Sequence, residues 1–183
     1  MSQATYITPT GQSPNVTTAR LGTAIAVGGV MGTGGSLNMG IDEGKFVVLT
    51  GESQYALAAQ GALIEGIISS IEPALSGGWS IGGVISLQKL FVTANGLQAT
   101  PGVGNVTLGS YVVAGAPAAV GVAIANGYPN VQMSTVQLGV LPASLTVAGQ
   151  QAQLAVYPWR VVSLGASGTG APGTIITISR EGT

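Results

Sequence analysis

The segment Thr174-Ile175-Ile176-Thr177-Ile178-Ser179-Arg180 decides the fold class. Successive side chains of a β-strand point to opposite faces, so Ile176 and Ile178 face one way while Thr177 and Ser179 face the other. One face of such a strand is buried and the other is wet or paired. From Gly44 onward the same texture recurs, with short β-branched runs punctuated by Gly, Asn and Pro every eight to twelve positions, the pattern of an all-β barrel or sandwich. The spacing predicts strands over Phe46–Thr50, Ile64–Ile71, Trp79–Leu87, Leu90–Thr93, Tyr111–Ala114, Val120–Ile124, Val131–Leu138, Leu145–Val147, Leu154–Tyr157, Arg160–Leu164 and Thr174–Arg180. The stretch Tyr55–Leu63 (YALAAQGAL) suits a short helix, weakened by Gly61.

Residues 1–43 read differently. They are rich in Thr, Gly, Ser, Asn and Gln, contain Pro9 and Pro14, and sustain neither a helical nor a strand period. The expected organisation is an extended or flexible N-terminal arm (residues 1–43) followed by one compact β-barrel, β-tulip or sandwich (residues 44–183). Within the latter, KFVVLTG and LIEGII (residues 45–68) resemble SYVVAG and AVGVAI (residues 110–124), a faint internal repeat.

Composition restricts function more sharply than any motif. Of 183 residues only 11 are charged, 30 are glycine, and there is no His or Cys, whereas an average soluble domain is about a quarter charged. Most of the groups that build acid–base, nucleophilic and metal sites are missing, so the reading is not an enzyme, with no metal and no cofactor. Disulfides are impossible, leaving packing, backbone pairing and oligomerisation to supply stability. A chain of this size can bury roughly 70% of the surface it exposes when unfolded, enough for a core. Arg20, Lys45, Lys89, Arg160 and Arg180 are scattered singly and the net charge is −1, so nucleic acid, which demands a basic stripe, is not expected as a partner. The 21 uncharged residues from Leu21 to Ile41 could span a bilayer by length, but seven are glycine and no membrane role is expected. The first residues lack the basic and apolar regions of a secretory signal, and synthesis in a cytoplasm is expected.

Motif matches reduce to structure. Ser86-Leu87-Gln88-Lys89 fits S-x-x-K, which needs both side chains on one helix face, yet here the strand context sends Ser86 and Lys89 to opposite faces. Gly168-Thr169-Gly170-Ala171-Pro172-Gly173 fits G-x-G-x-x-G, but a strand follows where a phosphate-binding helix is required. Asp42 and Glu43 are adjacent acids without the alternating oxygen ligands of a calcium loop, and read as a solvated turn before a strand. Asn15-Val16-Thr17 and Asn105-Val106-Thr107 fit the glycosylation acceptor pattern without a secretory context.

The order FVVLTG, an [IV]-x-G-[IV] strand at Ile64–Ile68, a Gly-Gly-Trp79 turn into an alternating strand, a Thr93-Ala94-Asn95-Gly96 turn, then YVVAG and VGVAIANG resembles the small capsid-decoration, or cement, proteins of tailed bacteriophages. The likeness covers about Gly44–Gly127 and rejoins at Trp159–Arg180. The resemblance implies a homo-oligomeric structural virion protein, a trimer before a dimer. It would sit on the capsid exterior and clamp neighbouring major capsid subunits, with no catalytic residues to carry over.

Trp, Tyr and Arg dominate interface hot spots. The candidate capsid or oligomer contacts are therefore Tyr157, Trp159 and Arg160, with Tyr6, Ile7 and Arg20 from the arm. The alternative is a receptor- or glycan-binding fibre or head-associated module, which the sparse aromatics disfavour. With no His or Cys, no side chain ordinarily changes charge near neutrality. The unfolding temperature and any shell binding are expected to stay nearly flat between about pH 6 and 8. Calorimetric scans across that window check this, and a sharp transition contradicts it.

Overall fold

The computed structural model describes residues 6–7, 16–86, 91–98, 107–124, 127–133, 159–171 and 173–180. Its strands are β1 (Tyr6–Ile7), β2 (Val16–Leu21), β3 (Phe46–Gly51), β4 (Gln54–Leu57), β5 (Gly66–Ile71), β6 (Ser80–Ser86), β7 (Phe91–Gln98), β8 (Val112–Ala114), β9 (Asn130–Met133), β10 (Trp159–Ser163) and β11 (Ile175–Arg180). The chain is all-β. A five-stranded barrel closes in the order β2-β4-β3-β5-β6, and a second sheet runs β10-β11-β7-β9-β8, with β1 added to β7.

The two layers share a wall, and the sequence shows why. Phe46, Ile67 and Ile85 point out of the barrel into a core completed by Val112, Ala114, Val131, Trp159, Val161, Ile176 and Ile178 of the second sheet. Their immediate neighbours Val47, Ile68 and Val84 point inward to a separate core with Ala19, Leu21, Leu37 and Ile71. Both faces of β3, β5 and β6 are therefore buried along these stretches, which is why each carries adjacent rather than alternating apolar residues. β2, by contrast, buries only Ala19 and Leu21 and leaves Thr18 and Arg20 exposed. Ile176 and Ile178 of the opening segment lie fully inside the shared core.

The small barrel radius requires close backbone contact. A Cβ on Gly82 would lie 2.0 Å from the Ser70 carbonyl oxygen across the β5–β6 pair, closer than any real side chain sits, so glycine is needed there. The second sheet curls towards closure as well. Tyr111, just before β8, forms an antiparallel bridge with Arg160 of β10, and Val161 donates its amide to Ser110 at 2.9 Å. The layers are pinned by the Trp159 indole, which donates to the Ile64 carbonyl at 2.8 Å, and by Gly61 and Ala114 amide donation across the seam.

Several expectations are corrected. The N-terminal arm does not extend to residue 43, because β2 pairs with β6 through six residue positions and with β4 through two, closing the barrel. Residues 22–43 fold over one barrel end, where Leu37 is buried and Ser80 donates its hydroxyl to the Leu37 carbonyl at 2.7 Å. Tyr55–Leu63 is not a helix: Gln54–Leu57 form β4, paired with β3 after a turn in which Ser53 takes a positive φ of 52°. Val120–Ile124 is turn and loop rather than strand, so the second half of the proposed repeat fails. Expected strands at Leu145–Val147 and Leu154–Tyr157 lie outside the described residues.

If β2 is structural, truncating Leu21 must open a cavity. Leu21→Ala is expected to destabilise the protein by about 2–5 kcal/mol, read from urea unfolding. A loss under ~0.5 kcal/mol would restore the arm reading.

Candidate functional site

The clearest polar centre is one the sequence reading assigned to solvent. Asp42 is 0% exposed and Lys45, three residues on, is 4% exposed, and the two form a buried ion pair. The Asp42 carboxylate also accepts the amide of Asn38 at 2.6 Å and that of Gly121 at 3.1 Å. The Lys45 ammonium donates to the Ala119 carbonyl at 3.0 Å. The loop over the barrel end, the start of β3 and the segment after β8 are thus tied at one point. Asp42 is not a solvated turn residue, because it caps backbone donors that would otherwise be buried and unpaired. Neighbouring Glu43 accepts the Ile71 amide at 3.0 Å, and Glu65 accepts the Leu49 amide, so these acids also brace backbone.

Lys45 lines a small cavity with Phe46, Ala58, Ala114, Ile124, Pro129 and Asn130. At about 20 Å³ it holds roughly one water and is too small for a substrate or cofactor. Among the described residues, no three His, Cys, Asp or Glu side chains gather to hold a metal ion, and no helix is long and apolar enough to cross a membrane.

Among the described residues, the sequence-selected contact candidates fall on two different sheets. Trp159 is corrected outright: its side chain is 0% exposed in the shared core, so it is a core plug and cannot contact a partner. Arg160 is half-buried, with its guanidinium 4.6 Å from the centre of the Tyr111 ring and hydrogen-bonded to the Tyr111 hydroxyl. Arg20 lies on the exposed face of β2, 5.8 Å from the centre of the half-buried Trp79 ring. Tyr6 and Ile7 form β1 against Val92 and Phe91 of β7. Tyr157 lies outside the described residues. Arg20 therefore belongs to the barrel, whereas the other placed candidates belong to the second sheet.

What sequence reading missed is an apolar display on the barrel-end loop. Gly29 donates its amide to the Ala26 carbonyl at 2.9 Å, and Gly28, at φ 86°, takes the left-handed position that this tight turn reserves for glycine. Val27 is held at its tip, 98% exposed, with Val30 69% exposed beside it. The loop is braced rather than slack. Thr33 returns both its amide and its hydroxyl to Val30, Thr23 donates to Gly35, and Ile25 donates to Gly78. The signal was present as a charge-free, glycine-rich stretch, but the same composition also describes a loose arm.

No protein-family model, curated protein or solved structure matches the chain.

The ion pair carries a directional expectation. Asp42→Ala strands the Lys45 charge and leaves the Asn38 and Gly121 amides without their acceptor, costing about 3–5 kcal/mol. Lys45→Met should cost less, because Asp42 keeps both amides. Urea unfolding of the two variants measures the order, and the reverse order would disprove the capping role.

Proposed function

We propose that the protein is a non-catalytic structural virion component. It binds the outer surface of an icosahedral phage capsid and stabilises the shell by holding neighbouring major capsid subunits together. The observation that carries this reading is the braced turn displaying Val27 and Val30. A rigid apolar projection loses little entropy on docking and gains from burial, which suits attachment to a protein surface and does nothing for catalysis. The sequence resemblance to capsid-decoration proteins supports the same class. So does the use of charge: Asp42, Lys45, Glu43 and Glu65 all serve internal contacts.

The attachment mechanism differs from a forty-residue arm. Since residues 16–43 belong to the barrel, the holding elements are the Val27 turn and the residues ahead of Val16. Many such small contacts, repeated on a symmetric shell, act multivalently. The glycan-binding alternative draws less support, because the Arg20 guanidinium lies over Trp79, a ring that would otherwise be open for sugar stacking.

The reading predicts that the protein sediments with intact virions at a copy number near that of the major shell protein; its absence from virions overturns it. Val27→Asp with Val30→Asp should lower occupancy on undecorated shells ten-fold or more, about 1.4 kcal/mol, without changing the unfolding temperature. Occupancy of the unaltered protein at 50 mM and 500 mM salt should differ less than ten-fold, since screening weakens only charge-driven contacts.

A further inference from the structure

We propose that the small cavity beside Lys45 is a binding site for one water molecule, which accepts the third hydrogen of the ammonium and completes the joint between the two layers. The inference is independent of the capsid reading, since it concerns only how the fold satisfies a buried charge.

Lys45 is 4% exposed, so its ammonium is cut off from bulk solvent. An ammonium carries three N–H donors and no acceptor. Among the described residues these donors meet two acceptors, the Asp42 carboxylate and the Ala119 carbonyl at 3.0 Å. A buried donor left without an acceptor forfeits its hydration, and the loss is larger when the group is charged. The cavity lies where the third hydrogen needs it. Ala119 directly follows Pro117 and Ala118, which line the cavity together with Lys45, so the ammonium itself, and not only its aliphatic stem, sits at that wall.

Size and chemistry both fit water. The volume of about 20 Å³ exceeds the roughly 10–15 Å³ that one water requires. The space exists because Ala58, Ala114, Gly115 and Ala118 bring no side chain beyond Cβ to it. A purely apolar void stays dry, whereas a water needs two to four polar partners; here the charged donor makes the difference. Acceptors for the water's own hydrogens belong to the same lining: Asn130 carries a side-chain carbonyl, and Pro117 and Pro129 have backbone carbonyls with no N–H beside them. An anion is a poor occupant, because Asp42 already cancels the Lys45 charge. With Phe46 of β3, Ala114 of β8 and Asn130 of β9 around it, the water is shared by the barrel and the second sheet.

Two measurements on the full chain test this. A high-resolution crystal structure of the unaltered protein should show one water in the cavity at about 2.7–3.2 Å from Lys45 Nζ. A cavity without water, or a water beyond hydrogen-bond distance of Lys45, overturns the proposal. In solution, relaxation dispersion of the water oxygen nucleus counts water molecules held longer than the protein takes to tumble, and it is blind to exchanging protein hydrogens. Lys45→Met keeps the length of the side chain and removes its donors, so the dispersion amplitude should fall by the equivalent of one water. An unchanged amplitude in a folded Lys45→Met variant overturns the proposal. If that variant does not fold, the crystal structure of the unaltered chain still decides between the two outcomes.

Discussion

The buried pair of Asp42 and Lys45 is the constraint on which the rest of the arrangement depends. Taking a carboxylate and an ammonium out of water costs several kcal/mol each unless they find each other and further hydrogen-bond partners. Here those partners are the Asn38 and Gly121 amides and the Ala119 carbonyl. They come from either side of a gap of more than seventy residues, so the pair is satisfied only when the loop over the barrel and the segment after β8 are both in place. A chain with 11 charged residues has committed two of them to a buried contact. The pair selects one arrangement of the two layers over slipped alternatives, which apolar packing alone would distinguish poorly.

Around that point the protein solves a problem of scarce bulk. Its aromatic content is 5%, and much of its apolar volume is Val, Ile and Ala. The barrel strands and the loop over their end fill one core among themselves, and the second sheet completes another. Using the β3–β5–β6 wall twice, once for the barrel interior and once for the space against the second sheet, allows each strand to serve two cores. Trp159 is the largest fully buried side chain among the described residues and spends its indole donor on Ile64, at the junction.

The parts legible in the sequence were those whose local pattern and final environment agree. TIITISR declares its buried face through Ile176 and Ile178, and FVV and GVIS announce strands because β-branched residues suit no other common element as well. β2 escaped notice because VTTARL buries only Ala19 and Leu21, and its membership rests on pairing with residues 80–85 and 54–55. YALA at residues 55–58 carries helix-forming residues, but pairing with β3 overrides local preference. Asp42 reads as solvated because acids usually are; its burial is decided by Gly121, 79 positions away. The Val27 turn was visible only as composition, and composition does not distinguish a braced loop from a slack one.

The closure of the barrel by β2 also orders events in time. Its main partner β6 begins 64 positions after β2 begins, and loop closure over such a span slows folding relative to local pairing. At a translation rate of about 5–20 residues per second, β6 follows β2 out of the ribosome by roughly 3–13 s. During that interval VTTARL waits without its ladder. Its threonines and Arg20 are suited to waiting: they keep the unpaired strand hydrated, and the same sparse hydrophobicity that hid β2 from sequence reading protects the nascent chain from joining the wrong edge.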